Sequence, residues 1–179
     1  MVTPDFGRSD SWHFSFVTKF LLGQSLHRGE LPVWNSTMGA GFPLIGEGQI
    51  GAFYMPNLIL FRVFDPVTAY NLALVFAVFT LGSGMYTWLR IMRLSSLPSL
   101  FAAITLSLSG MVMTQLPHIA LIQGFGILPW AAAATYWLSQ KKTTITISIW
   151  AILVSQQLLA GFPQASFITV LFISCYYLS

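Results

Sequence analysis

Few side chains in this sequence can do chemistry, and most of them lie in its first third. All five acids (Asp5, Asp10, Glu30, Glu47 and Asp65) precede residue 66, together with Arg8, Lys19, Arg28 and Arg62. Asp10 opens a helical pattern, where a carboxylate can cap the first free N–H groups. Glu47, with Gln49, could coordinate a cation or bind sugar hydroxyls, although a solvated loop acid is the plainer reading of Glu47. Arg8, Lys19, Arg28 and Arg62 could hold a phosphate, but basic side chains beside a bilayer commonly snorkel to headgroups. His118, next to Pro117, suits a helix-end cap or an interfacial contact as well as a ligand site.

Other motifs say less. Gly46, Gly48 and Gly51 spell a literal G-x-G-x-x-G, but no βαβ unit surrounds it, so turn geometry explains it better than a nucleotide. Asn35-Ser36-Thr37 is a formal glycosylation triplet of a kind that arises by chance. The lone Cys175 excludes an internal disulfide and a cysteine metal cluster. Gln156, Gln157 and Gln164 flank Gly161-Phe162-Pro163, and the first two, inside an apolar run, need partners within a bundle.

The elements that must position these groups follow from composition. The chain has 179 residues, 55% hydrophobic and only 7% charged, with a mean hydropathy of +0.72. Soluble domains carry about a quarter charged residues, so this is the composition of an integral membrane protein. Its pI near 9.2 reflects residues flanking membrane helices and excludes no function except a nucleic-acid surface.

Residues 10–27 read as a helix with Trp12, Phe16, Val17, Phe20 and Leu21 on an apolar half and Ser11, Ser15, Thr18 and Ser25 opposite. Such a helix would lie along a membrane surface. Residues 28–57 are too rich in Gly and Pro to span; Pro32, Pro43 and Pro56 forbid a long helix. Trp34, Phe42, Phe53 and Tyr54 give this loop area with which to be fixed. About five spans follow, at 67–89, 97–114, 119–138, 145–160 and 165–178; the first is about 34 Å long as a helix. Gly82, Gly84 and Ala131 to Ala134 read as close helix packing. The expected fold is therefore all-α: an N-terminal segment 1–66 with its surface helix, then a transmembrane bundle 67–179.

Basic residues orient the bundle. Arg90 and Arg93 lie between the first two spans and Lys141 and Lys142 between the third and fourth, while the alternate connections lack Lys and Arg. The positive-inside bias puts the basic connections in the cytoplasm and residues 1–66 outside. An outside segment of this length needs something upstream to carry it across, so a preceding helix is expected. The last span stops without flanking polar residues, which reads as a truncation.

The run Gly29-Glu30-Leu31-Pro32-Val33-Trp34-Asn35, followed by Gly39-Ala40-Gly41-Phe42-Pro43 and Phe53-Tyr54-Met55-Pro56-Asn57, resembles the first outer loop of the YfhO-like bacterial membrane proteins. Those are polytopic glycosyltransferases of the GT-C class; here Asn35-Ser36 stands where they have Asn-Pro. The resemblance implies a sugar transferred from a polyprenyl-phosphate donor to a cell-envelope acceptor, outside the bacterial cytoplasmic membrane. It implies Asp10 as catalytic base or metal ligand. It offers Trp34, Asn35, Glu47, Gln49, Tyr54, Arg28 and His118 as substrate-binding residues, with an arginine neutralising the departing phosphate. A divalent cation is left open. The implied partners are the lipid-linked donor, the acceptor, the membrane and the rest of a longer polypeptide, with no nucleic acid. The rival is a non-enzymatic transporter, channel or accessory envelope module, which would need ionisable groups along a path between spans. A catalytic loop should instead fold back over the bundle mouth, so that Asp10, Glu47 and residues 115–118 line one cavity.

Overall fold

The computed structural model describes residues 11–36 and 40–178. Every regular element among them is helical, apart from an isolated antiparallel bridge between Asn35 and Phe42. A single π turn over Ser11–Ser15 leads into α1, Phe16–His27. The loop after α1 contains a 3-10 turn, Gly48–Ile50, and ends at α2, Met55–Val63. Then come α3, Pro66–Ile91; α4, Ser96–Ser107; α5, Gly110–Thr114; α6, Ile119–Gln140; α7, Thr144–Leu159; and α8, Pro163–Leu178.

Local sequence explains where these helices begin. Asp65 accepts hydrogen bonds from the Val67 and Thr68 amides, both at 3.1 Å, and Pro66 fills the first helical position, where its missing N–H goes unnoticed. Thr143 and Thr146 exchange side-chain and backbone hydrogen bonds at the start of α7. This is the reciprocal arrangement that satisfies two orphan donors at once.

Among the described residues three helices are long and apolar enough to cross a membrane: Pro66–Ile91, Ser96–Thr114 and Ile119–Gln140. The second of these is broken at Leu108 and Ser109, where Ser109 caps the restart by accepting the Val112 amide. The helices from Thr144 and Pro163 are apolar but shorter.

α3 and α6 form the spine and run in the same direction. Ile119 packs with Ala69, Tyr70 and Ala73. Farther along, a Cβ on Gly126 would stand 3.1 Å from the Ala77 carbonyl, and Trp130 Nε1 donates to the Thr80 carbonyl at 2.9 Å. Trp130 lies against Gly84, where any side chain would strike the indole, and Ala131 to Ala134 are all buried. The close-packing reading of these small residues holds: where apolar surface has no water to escape, contact area comes from backbones that approach closely. α4 and α7 run back antiparallel, with Ser107 against Gly82 and Trp150 Nε1 donating to Thr135 Oγ1 at 2.9 Å. α8 closes the bundle through Ala165 against Gly124 and Phe172 edge-on to Trp88, 5.5 Å between ring centres.

α1 departs from its sequence reading. It packs on α2 and α3, and its buried residues are Thr18, Lys19, Leu22, Gly23 and Leu26. The face turned inward thus includes the side expected to be polar. Burial is tolerated because Thr18 Oγ1 donates to the Phe14 carbonyl at 2.9 Å and Lys19 finds a loop carbonyl.

Candidate functional site

The loop between α1 and α2 folds back onto the bundle. Asn35 and Phe42 exchange backbone hydrogen bonds, and the Leu44 amide bonds the Val33 carbonyl, making a short hairpin. Leu44, Ile50 and Ala52 then enter the same buried cluster as Leu22, Phe61 and Ile119. The loop is therefore anchored by apolar burial, each large side chain contributing about 1.5–3 kcal/mol.

Polar bonds set its register. Lys19 is fully buried, and its Nζ donates to the Ile50 carbonyl at 2.6 Å. Burial pulls its amine down to about 7, because a charged ammonium is disfavoured away from water. Next to it Asn57 Nδ2 donates to the Gly51 carbonyl, and Asn57 and Gln123 exchange two amide hydrogen bonds, 2.7 and 3.3 Å. Gly51 adopts φ 56, and a Cβ there would meet Asn57, the Ala160 carbonyl and the Lys19 amine. Only glycine fits so crowded a left-handed position.

The α7–α8 turn docks on the same loop. The Gly161 Cα lies so close to Gly48 that a side chain would overlap its carbonyl. Gln156 Oε1 accepts from the Met55 amide at 2.8 Å, and Gln157 Nε2 donates to the Gly124 carbonyl and to Thr169 Oγ1. The partners required of these two glutamines are present.

Where these segments meet there is a cavity of about 530 Å³, lined by Phe14, Ser15, Gln49, Gln115, His118, Leu121 and Phe162. Four stretches far apart in sequence thus contribute: the helix entry, the Gly-rich loop and both short turns. His118 occupies the N-cap position of α6, yet its side chain makes no capping bond, which leaves the imidazole to the cavity.

The expected residues separate into three groups. Gln49, His118 and Gln115 of the 115–118 turn meet at this cavity, with Phe14, Ser15 and Phe162 beside them. Glu47 does not line this cavity; it precedes the 3-10 turn, and its carbonyl accepts the Ile50 amide. Trp34 is 60% exposed and covers Gly41, and Asn35 is buried within the hairpin. Tyr54 is buried at the start of α2, its hydroxyl pushed up to about 12 by burial, and it faces a separate cleft with Ile127 and Leu153. Arg28 sits at the far end of α1 from Ser15, about 20 Å along the helix. Arg62 caps that same end by donating to the Leu26 carbonyl at 3.1 Å. Neither arginine reaches the cavity, because both terminate α1. Asp10 and Arg8 lie outside the described residues.

Phe14 and Phe162 carry no ligand signal of their own in the sequence, and only the turn at Gly161-Phe162-Pro163 points toward the second. Among the described residues no three His, Cys, Asp or Glu side chains cluster to hold a metal ion. Compared with known protein families, curated proteins and solved structures, the chain matches none of them.

Proposed function

We propose that this chain is the substrate-binding part of a membrane glycosyltransferase that moves a sugar from a polyprenyl-phosphate donor to a cell-envelope acceptor. The 530 Å³ cavity is the observation that carries the reading. It is roomy enough for a sugar ring and is walled by two aromatic rings and two amides, the groups that commonly pack on sugar faces and bond vicinal hydroxyls. In the reaction the acceptor oxygen attacks the anomeric carbon and the bond to the phosphate oxygen breaks. The electron pair leaves on polyprenyl phosphate, and the hydroxyl proton passes to a base. His118 lines the cavity, and Asp10 fills the role of base by resemblance. With GT-C-like topology the loop end faces outward, in a bacterial cytoplasmic membrane crossed about five times.

The transporter reading has less support. The buried amides Asn57, Gln123 and Gln157 cluster at the loop end, whereas α6 from Ile127 to Ala134 buries apolar groups. A polar path that stops there conducts nothing.

The test is transfer from a radiolabelled polyprenyl-phosphate sugar in membranes containing the full-length protein. Gln49→Ala and His118→Ala should each reduce transfer at least tenfold with unchanged protein abundance. Full transfer by both variants would remove the cavity from the reaction.

A further inference from the structure

At the opposite end of the bundle from the loop lies a second cleft, of about 640 Å³. It is lined by Ile91 at the end of α3 and Arg93 just beyond it, by Tyr136, Trp137, Gln140 and Lys141 at the end of α6, and by Ile145, Thr146 and Ile149 of α7. α3 and α6 run parallel, so both basic connections converge here. Two cations and an aromatic shelf thus border a wall of isoleucines.

Nothing in the described protein neutralises those cations. No acid occurs after residue 65, and the described acids Glu30, Glu47 and Asp65 all belong to the loop end, a full α3 length away. Arg93 and Lys141 are both exposed, so a counter-charge from outside can reach them.

The backbone gives an independent sign. α3 ends with the Arg93 amide bonded to the Arg90 carbonyl at 3.0 Å and the Leu94 amide to the Leu89 carbonyl at 3.1 Å. This paired closure places one residue, usually glycine, in the left-handed region. α1 closes in the same way with Gly29 at φ 76, yet α3 has Arg93 there at φ 66. An arginine in that position is strained relative to glycine, and such strain recurs where a side chain is needed in a fixed direction. Arg90 Nη1 braces the turn by donating to the Leu94 carbonyl at 2.6 Å.

We propose that this cleft binds the phosphodiester headgroup of an anionic phospholipid. Arg93 and Lys141 hold the phosphate, and Trp137 with Ile145 and Ile149 receives the glycerol and upper acyl segments. A free phosphate would use the same cations but leaves the apolar wall empty, and Ile145 is 71% exposed there. Charge beside apolar surface at the end of spanning helices matches an amphiphile.

The test uses the purified full-length protein in neutral detergent micelles, with quenching of tryptophan fluorescence by brominated phosphatidylglycerol or brominated phosphatidylcholine. Phosphatidylglycerol should quench at lower mole fraction, and Trp137→Phe should remove the difference. Arg93→Gly relieves the strained turn and keeps the fold, so it should bind phosphatidylglycerol about fivefold more weakly while melting no lower. Lys141→Gln should weaken binding similarly. Equal quenching by both lipids, or undiminished selectivity in both variants, would overturn the site. Displacement of phosphatidylglycerol by equimolar inorganic phosphate would overturn the lipid assignment.

Discussion

Lys19 shows how one side chain can hold an element in place and set its pH response. Its amine titrates near 7 in the folded protein against 10.5 in the ordinary state. Between those values the unfolded chain binds the proton and the folded chain does not. Stability must therefore rise with pH from about 7 to 10.5, at up to about 1.4 kcal/mol per unit, and flatten above. Thermal melts over that range should show the rise in the wild type and lose it in Lys19→Met. A parallel rise in both would assign it elsewhere. The neighbouring amides predict a different signature. Gln123→Leu leaves Asn57 Oδ1 buried without its donor, while Asn57 Nδ2 keeps the Gly51 carbonyl, and should destabilise by about 1–3 kcal/mol at every pH, measured by the same melts. From sequence, Lys19 reads as a snorkelling cation because a basic residue on a surface helix ordinarily reaches for headgroups. Its destination depends on the Ile50 carbonyl, 31 positions away, and spacing within the helix carries no trace of that.

The elements themselves were more legible than their contacts. Pro66 after Asp65, the Gly and Pro residues of 28–57, and the apolar runs mark where helices begin and end, since these signals are local. The break in the second span was hidden, because Leu108, Ser109 and Gly110 are apolar or small and hydropathy averages over them. Glu47 and Gln49 are equivalent candidates in the Gly-rich run; the 3-10 turn separates them, turning Gln49 to the cavity and leaving Glu47 outside. The turn between α7 and α8 determines whether that arrangement survives. Gly161 adopts φ 90 against the Gly48 carbonyl, so Gly161→Ala should push the turn off the loop and lower stability by at least about 1 kcal/mol. A cysteine introduced by Gln49→Cys should then react faster with a water-soluble maleimide in the Gly161→Ala background than with Gly161 intact. Unchanged reactivity would show that the turn does not close the cavity.

At the scale of the whole molecule, the described acids and the four basic residues beyond residue 65 mark opposite ends of the bundle. Single cysteines at Ser96 and Gln115, in a Cys175→Ser background, should label from opposite sides of intact cells if the long helices cross the membrane. Labelling from one side would break that topology. The bundle and its two ends were visible in composition and charge, and a cavity against residues 115–118 was expected of the loop, whereas its lining by Phe14, Ser15 and Phe162 in place of Glu47 was not visible, because it is built from four segments whose meeting depends on how α3, α6 and α8 pack.

The buried amine also turns the protein into its own clock. The chain has three lysines, Lys19, Lys141 and Lys142, and the last two are exposed while Lys19 has no accessible surface. Among its lysines an amine-acylating reagent will therefore take two quickly, along with any free α-amine, and the third only when α1 lifts from the loop. The rate of that third acylation, extrapolated to high reagent, is the opening rate of the segment that walls the cavity. A ligand held there should slow the third acylation and leave the first two untouched.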